Sequence, residues 1–206
     1  MSMSPDTNLA ASNHSLIQPL VSITESLDFD AMFKTRQPME LELGSGDGSF
    51  LVKYASLNPG RNFVGVERLL GRLRKLDRKA RRAGLMNLRL FRIEASYLLE
   101  YLAPPGLFDA IHVYFPDPWP KRKHRKNRLI NERFVELAHR ALKPGGRIFL
   151  RTDDQDYFAQ MNTVFGASQS FSSLETPAEL AGVVTDFEHS FNAEGIPTLR
   201  AAFRRS

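Results

Sequence analysis

From residue 39 onward, short apolar runs alternate with stretches of helical periodicity, and this alternation restricts the fold more than any other feature of the 206-residue sequence. Strands are predicted at 39–43, 62–67, 88–93, 108–114 and 147–152. Helices are predicted at about 47–57, 68–83, 95–102, 129–142 and 154–165. Strands that alternate with helices become parallel strands joined by right-handed crossovers, so the pattern predicts an α/β fold with a doubly wound, mostly parallel sheet.

Two segments near the C-terminus predict further strands. They are 183–188 (VVTDFE) and 196–204 (IPTLRAAFR). We expect a hairpin between them to close the sheet with an antiparallel pair. The sequence Lys-Pro-Gly-Gly at 143–146 predicts that the preceding helix ends there and that a turn leads into the next strand.

The length favours a single domain. Residues 1–15 are small, polar and aperiodic, so we expect an N-terminal extension over 1–30, partly flexible, followed by one domain over 31–206. The sequence contains no cysteine, which excludes disulfides, thiolate metal sites and a cysteine nucleophile. No signal peptide and no apolar run of about 18–20 residues is visible, so we expect a cytoplasmic protein. We also expect no bound metal.

The charge is concentrated in two segments. Residues 68–82 carry eight basic residues and one acid, and residues 121–128 (KRKHRKNR) carry six basic residues and no acid. By contrast, residues 1–30 carry four acids and residues 175–194 carry five, in both cases without Lys or Arg. Such a distribution favours binding of a polyanion such as nucleic acid, although the helix at 68–82 could equally be a solvated face.

Glycines alternate directly after the first strand, at Gly44, Gly46 and Gly48. Ligands of doubly wound sheets bind beyond the carboxyl ends of the strands, where glycine lets the backbone turn sharply and approach a ligand. The spacing differs from the dinucleotide fingerprint, whose third glycine comes one residue later. Glu42 and Asp47 beside these glycines suit a ligand with an ammonium group better than a pyrophosphate. An ordinary tight turn remains the alternative interpretation.

Acidic residues also end the next two strands. Glu67 lies 19 residues after Gly48, at the distance where an acid accepts hydrogen bonds from the ribose hydroxyls of an adenosine in NAD or S-adenosylmethionine. Glu94-Ala95 follows the third strand and could reach an adenine amino group. Taken singly, Glu67 could be a helix N-terminal acid and Glu94 a surface acid. Together with the glycines they predict an adenosine-containing cofactor.

The fourth strand ends in Tyr114-Phe-Pro-Asp-Pro-Trp-Pro120, which is the most specific stretch of the chain. Three prolines in five residues stiffen this loop and would hold Asp117 in one place. Trp119 offers a face on which a base could stack, and the basic run from Lys121 onward suits phosphate contacts. A proline-capped surface turn is the alternative, but it leaves the basic run unexplained. His124 within the run could contact phosphate.

Polar residues recur at two later positions. The fifth strand ends in Thr152-Asp153, followed by Tyr157, and either Thr152 or Asp153 could cap the following helix or face the same crevice. Thr185 and Glu188 place a hydroxyl and a carboxylate on one local element.

Taken together, these motifs resemble the bacterial tRNA (guanine-N7)-methyltransferases, in order and with suitable spacing over about residues 38 to 204. The block Phe115-Pro-Asp-Pro-Trp-Pro120 is specific to that family, whereas the glycine loop is shared by many methyltransferases. The resemblance implies a class I methyltransferase fold, S-adenosyl-L-methionine as cofactor and tRNA as partner, with guanine 46 of the variable loop as the target, in a monomer or homodimer.

Site residues follow from the same resemblance. Asp117 matches the proposed catalytic residue and also a cofactor-site carboxylate. The resemblance assigns the cofactor site to Glu42, Gly44, Gly46, Gly48, Glu67, Glu94, Ala95 and Asp117. It assigns substrate binding to Lys121, Asp153 and the segment from Thr185 to Glu188, and we expect His124 and Arg128 of the basic run to contribute to the same binding. Glu94, Asn127 and Asp186 depart from the residues common in the family, and the extension 1–30 lacks the basic residues often found there.

Two other functions and one other cofactor fit parts of the sequence. A methyltransferase acting on a protein or small molecule would give no role to 121–128, and a catalytically silent RNA-binding protein would bind tRNA without the cofactor. The intact Glu42, glycines and Glu67 disfavour the silent protein. The glycine spacing disfavours an NAD enzyme.

Overall fold

The computed structural model describes residues 15–206, and it places them around one seven-stranded sheet of order β3-β2-β1-β4-β5-β7-β6. The strands are β1 (Met39–Leu43), β2 (Asn62–Val66), β3 (Leu88–Phe91), β4 (Phe108–Tyr114), β5 (Leu142–Thr152), β6 (Phe171–Leu174) and β7 (Leu199–Arg205). Strands β1 to β5 pair in parallel, and β7 runs antiparallel to both β5 and β6. The predicted α/β fold with a mostly parallel sheet and a C-terminal antiparallel strand is therefore confirmed.

Helices follow most strands and cover both faces of the sheet. They are α1 (Ser49–Leu57), α2 (Leu70–Arg82), α3 (Ala95–Tyr97), α4 (Glu132–Ala141), α5 (Gln155–Gly166), α6 (Ala178–Ala181) and α7 (Asp186–Ala193). A π-helical turn, Leu98–Leu102, continues α3, and 3-10 helices form at Asp30–Met32 and Arg122–Asn127. The predicted helices thus lie where the periodicity placed them, with ends shifted by a few residues.

The C-terminal strand prediction was partly wrong. Residues 183–188 do not form a strand, because Thr185 caps α7: its hydroxyl accepts the Glu188 N–H at 3.0 Å, and the Glu188 carboxylate accepts the Thr185 N–H at 2.9 Å. This reciprocal pair is a capping box, which favours a helix start. The antiparallel partner of β7 is instead β6, a four-residue strand that the sequence analysis did not predict.

The turn at 143–146 appears as a bulge inside a long strand. Helix α4 ends at Ala141, Leu142 pairs with Phe108, and the next β5 pair joins Arg147 to Ala110. Gly145 has φ of 73°, a conformation that glycine adopts without strain. The chain therefore turns where the sequence indicated and then continues as the same strand.

Two apolar clusters form the core, one on each face of the sheet. In β1, Leu41 and Leu43 belong to one cluster, whereas Glu40 and Glu42 point to the other face because side chains alternate along a strand. The sheet is covered on both faces, so these two glutamates are buried as deeply as the leucines.

A buried polar network accommodates Glu40. Its carboxylate oxygen Oε2 lies 2.7 Å from His112 Nε2, and His112 Nδ1 lies 2.8 Å from the Tyr114 hydroxyl. Arg61 pairs with the other oxygen of Glu40. These contacts hold the pKa of Glu40 below its usual value, although burial alone would raise it. The network links β1 to β4 just below the strand ends.

Residues 15–33 pack along the β3 side of the sheet. Leu90 accepts the Gln18 N–H at 2.8 Å and donates to the Leu16 carbonyl at 3.0 Å, and Asp77 on α2 accepts the Leu16 N–H at 2.7 Å. Phe29 is buried against the central cluster. The predicted flexible lead-in at 1–15 lies outside the described residues except for Ser15, and a domain boundary at residue 30 stays a prediction.

Candidate active site

An open cleft lies at the carboxyl ends of the parallel strands. Its lining includes Gly44 after β1, Glu67 after β2, Glu94 after β3 and Asp117 after β4. Apolar side chains on its walls include Leu69, Ile93, Ala95, Phe115 and Leu129. The structure therefore brings together the acids that the sequence analysis took from separate strands, as expected for parallel strands whose carboxyl ends share one edge.

The glycine loop after β1 needs glycine at each alternate position. Gly44, Gly46 and Gly48 have φ of 78°, 56° and 84°, which is the left-handed region that other residues adopt only with strain. A Cβ on Gly48 would lie 2.2 Å from Leu76 of α2, so this glycine also permits α1 and α2 to pack closely. Around Gly44 and Gly46 an added Cβ would meet no atom of the described residues within 4 Å, apart from the adjacent residues of the chain.

Glu67 orders the loop while keeping part of its carboxylate available. Its two oxygens accept the N–H groups of Gly46 at 3.1 Å and Leu69 at 2.6 Å. A carboxylate has about four lone-pair sites, so further acceptor capacity remains toward the cleft.

Glu42 lies deeper than the sequence analysis expected. It is 3% exposed, it is not among the cleft-lining residues, and its oxygen Oε2 has no hydrogen-bond partner within the described part of the chain. Burial raises the pKa of Glu42 to about 8, against the opposing effects of a Ser45 hydrogen bond and the Arg151 charge. Glu42 is thus a buried acceptor directly beneath the glycine loop.

Asp47 does not line the cleft, because Lys79 on α2 holds its carboxylate at 2.7 Å. This hydrogen bond and the nearby positive charges hold the pKa of Asp47 below its usual value despite the effect of burial. Glu94 caps α3 by accepting the Tyr97 N–H at 2.8 Å, and it remains exposed on the cleft wall beside Ala95.

Backbone strain brackets Asp117. Phe115 and Trp119 have φ of 51° and 44°, and among the described residues they are the only ones besides glycine with positive φ. Bulky residues enter this region at a cost of about 1–3 kcal/mol each, which surrounding contacts must offset. Phe115 donates its N–H to the Arg151 carbonyl at 2.8 Å, and the loop presents an exposed Asp117 to the cleft.

The basic run continues from this loop and divides into two parts. Lys121, Arg122, Lys123 and Lys126 are exposed, and Trp119 meets the His124 ring edge-to-face at 5.9 Å. These side chains are available to an anionic partner.

Arg128 has a different environment, since it is 2% exposed. Its guanidinium reaches the Pro118 carbonyl at 2.7 Å, Gln160 at 2.8 Å and Asp156 at 2.6 Å. It therefore ties the Asp117 loop to α5, and substrate contact by Arg128 stays a prediction.

The capping of α5 corrects one expectation. Asp154, and neither Thr152 nor Asp153, caps this helix by accepting the Tyr157 N–H at 2.7 Å. Asp153 is left half-buried at the end of β5. The Tyr157 hydroxyl accepts the Ile130 N–H at 2.8 Å, which anchors the segment before α4.

Thr185 and Glu188 are buried, and neither residue lines the cleft. Besides the capping box, Glu188 pairs with Arg151 at 2.7 Å and with Arg200 at 2.8 Å. Both residues therefore hold α7 in place, and their role in binding substrate stays a prediction.

Arg151 is the main residue of this region that the sequence analysis missed. Its guanidinium donates to the Val183 carbonyl at 2.8 Å, the Leu180 carbonyl at 2.6 Å and Glu188, and it lies 4.2 Å from the centroid of the Tyr114 ring. An arginine in an apolar strand, RIFLRT, was the available signal, because a buried cation requires a buried acid.

Two further observations concern the described residues. No group of three or more His, Cys, Asp or Glu side chains among residues 15–206 could hold a metal ion. None of the helices in that range is long and apolar enough to span a membrane.

Solved structures with the same fold are methyltransferases. The chain matches the 16S rRNA methyltransferase KamB with a TM-score of 0.61 at 18% identity, covering 88% of this chain and 95% of that one. It matches TrmN from Thermus thermophilus with a TM-score of 0.57 at 20% identity, covering 82% and 45%. The sheet order, the glycine loop and the cleft define a class I methyltransferase fold.

Sequence comparisons identify the family more narrowly. Residues 36–201 match the family model described as "Putative methyltransferase". A "tRNA (guanine-N(7)-)-methyltransferase" of Nitrosococcus oceani is 34% identical over 89% of this chain and 78% of the relative, and one of Geobacter metallireducens is 32% identical over 82% of each. The chain belongs to the tRNA (guanine-N7)-methyltransferase family, as its motifs predicted. With the relatives from Syntrophotalea carbinolica (40% identical) and Rubrobacter xylanophilus (43%), the match spans only 59% and 58% of their length.

Proposed function

We propose that the protein transfers a methyl group from S-adenosyl-L-methionine to N7 of a guanine in tRNA, with guanine 46 of the variable loop as the target. The observation that carries this proposal is Asp117, exposed to the cleft on a strained loop and followed at once by exposed cations. Family membership supports the same reaction. We further propose a cytoplasmic enzyme that acts as a monomer or homodimer.

The cleft suits S-adenosyl-L-methionine. Glu67 keeps acceptor capacity for ribose hydroxyls, Glu94 can accept from an amino group, and Ile93 and Leu69 offer an apolar surface to an adenine. The buried carboxyl of Glu42, whose oxygen Oε2 has no partner among the described residues, is a further polar group beside the glycine loop. The bound cofactor would supply the methyl group as part of a sulfonium.

Guanine N7 carries a lone pair and no proton, so its attack on the methyl group needs no general base. The protein therefore has to align the guanine and to stabilise the positive charge that appears on the purine. Asp117 is suited to both tasks, since its carboxylate can accept from guanine N1–H and the amino group while it lowers the energy of a cationic purine. The stiff, strained loop limits the positions that this carboxylate can take.

The exposed residues Lys121, Arg122, Lys123 and Lys126 are proposed to contact tRNA phosphates close to the target. N7 lies in the deep, narrow major groove of A-form RNA, which side chains read poorly, so the substrate must be recognised by shape and by an accessible base. Binding that depends on phosphate contacts weakens steeply with salt.

The experiment incubates the protein with labelled S-adenosyl-L-methionine and total tRNA, and maps N7-methylguanine by chemical cleavage. Asp117→Asn should lower methyl transfer strongly at saturating tRNA, because the amide keeps the size but loses the charge. Asp28→Asn, in an exposed position of the N-terminal extension, is the matched control and should keep wild-type activity.

Three results would contradict the proposal. Wild-type activity of Asp117→Asn would remove the role assigned to that carboxylate. Label transfer to protein or small molecules with none to tRNA would favour another methyltransferase. Binding of tRNA without any binding of the cofactor would favour a catalytically silent RNA-binding protein.

A further inference from the structure

A second depression leaves the cleft and follows helix α2. We call it the α2 groove and define it by Arg72, Lys75, Lys79 and Arg82 on one wall and Asp186, Phe187 and Ser190 of α7 on the other, with the glycine loop at its floor. It is continuous with the cleft, because Arg72 lines both. The groove is separate from the part of the cleft that Glu67, Glu94 and Asp117 line.

The cations of this wall form one stripe. Arg72, Lys75, Lys79 and Arg82 are spaced by three, four and three residues, which places them on one helix face. Over ten residues the stripe extends about 15 Å from the cleft. The other exposed face of α2 carries Arg74 and Arg78 instead, and Leu73, Leu76 and Ala80 are buried.

Most of the stripe has no acidic partner. Lys79 is held by Asp47 at 2.7 Å and lies 4.0 Å from Asp186, so one lysine charge stands against two acids. Within residues 15–206, Arg72, Lys75 and Arg82 take part in no ion pair. The four cations of the stripe exceed Asp47 and Asp186 by two positive charges, so the groove that opens into the cleft is a favourable path for a polyanion.

The opposite wall offers an aromatic surface. Phe187 is 50% exposed, and its ring stacks against Phe115 of the Asp117 loop with centroids 6.3 Å apart. Cations that follow a backbone together with an exposed aromatic ring are the combination with which proteins bind single-stranded nucleic acid. An α-helix face alone would not favour single strands.

We propose that the α2 groove binds the single-stranded RNA next to the methylated guanine, with Lys75 and Arg82 contacting phosphates and Phe187 stacking on a base. The inference rests on the proposed function, because it requires an RNA target. A guanine whose N7 is accessible must lie in an open region of the RNA, and its neighbouring nucleotides have to leave the cleft along some surface. The α2 groove is the cationic exit that starts at the cleft.

The test compares two double variants of the same helix. K75Q/R82Q removes two of the four stripe cations, and R74Q/R78Q removes the same charge from the other exposed face, in both cases with a good helix former. At about 0.15 M salt, where the Debye length is about 8 Å, K75Q/R82Q should bind tRNA at least about tenfold more weakly than R74Q/R78Q. Its slope of log affinity against log salt should become less negative by about 1.4, or 0.7 for each lost phosphate contact.

A second pair of variants tests stacking. Phe187→Leu should lower tRNA affinity about tenfold, whereas Phe187→Tyr should keep it, since a tyrosine ring still stacks. Affinity for S-adenosyl-L-methionine should stay unchanged in all four variants. Unfolding temperatures of the variants equal to that of the wild type would exclude loss of the fold as the cause of a weaker tRNA affinity.

The outcomes separate this inference from the proposed function. If wild-type protein methylates tRNA and K75Q/R82Q binds tRNA no more weakly than R74Q/R78Q, the α2 groove is not the RNA path. An unchanged salt slope in K75Q/R82Q would overturn it as well. If wild-type protein neither binds nor methylates tRNA, the proposed function fails, and the inference falls with it.

Discussion

The buried carboxyl of Glu42 makes the stability of this protein depend on pH in an unusual direction. Its pKa rises from 4.5 to about 8 because folding removes it from water. A carboxyl group whose pKa is raised in the folded state binds more protons there than in the unfolded state. Its contribution to stability is therefore complete below about pH 4.5 and is lost as the pH rises through about 8.

The substitution Glu42→Gln removes this dependence and keeps the size of the side chain. One pKa unit corresponds to about 1.36 kcal/mol, so the whole shift represents about 4.8 kcal/mol. Between about pH 5.5 and pH 7.5, wild-type protein should lose about 2.5 kcal/mol of unfolding free energy relative to Glu42→Gln. Urea unfolding of both proteins at several pH values in that range measures the difference.

Glu40→Gln is the matched control, two residues away on the same strand and the same face. The pKa of Glu40 is lowered by His112 and Arg61, so its contribution is complete above pH 4.5 and stays constant over the range tested. Glu40→Gln keeps Glu42, so it should destabilise the protein while its curve of unfolding free energy against pH stays parallel to that of the wild type. If wild type and Glu42→Gln give parallel curves, Glu42 is ionised in the folded protein and the argument from its burial is wrong.

Two further predictions concern residues that hold the site together. Arg151→Met leaves Glu188 buried with one cation fewer and should cost about 3–5 kcal/mol of unfolding free energy. Adding Glu188→Gln to this variant should restore part of that loss. If urea unfolding shows no such recovery, the pairing of Arg151 with Glu188 is contradicted. Gly48→Ala places a Cβ 2.2 Å from Leu76 and should cost about 2–4 kcal/mol, whereas Gly44→Ala, with equally positive φ but no atom within 4 Å, should cost about 1 kcal/mol. Equal losses in the two glycine variants, measured by thermal unfolding, would show that the contact with Leu76 has no effect.

Sequence patterns predicted the elements whose local and global preferences agree. Strand β4 has the predicted limits because FDAIHVY is mostly apolar and aromatic and a proline-rich loop follows it. The failure at 183–188 has a specific cause: Thr185 and Glu188 form a capping box, and this short-range signal competes with the β-branched residues before it. Strand β6 was missed because four residues, FSSL, contain too little pattern to recognise.

The candidate site likewise contains residues that the sequence located correctly and residues whose environment it did not reveal. The sequence located Gly44, Glu67 and Asp117 at the cleft, since residues that end parallel strands must share an edge. It did not distinguish exposed from buried charges. Arg128 and Glu188 look like other charged residues in a polar segment, and only the packing of α5 and α7 makes them internal. Long-range pairing of this kind leaves no periodic trace in a sequence.

The position of β7 has a consequence for the order in which the sheet can form. Strand β7 lies between β5 and β6, and within residues 15–206 β6 pairs with no other strand. During synthesis β6 is made before the strand that it needs, so β5 keeps an open edge until residues 199–205 have been translated. Completion of the sheet is then a single insertion event, and a chain cut before residue 199 would lose two strands from the sheet instead of one.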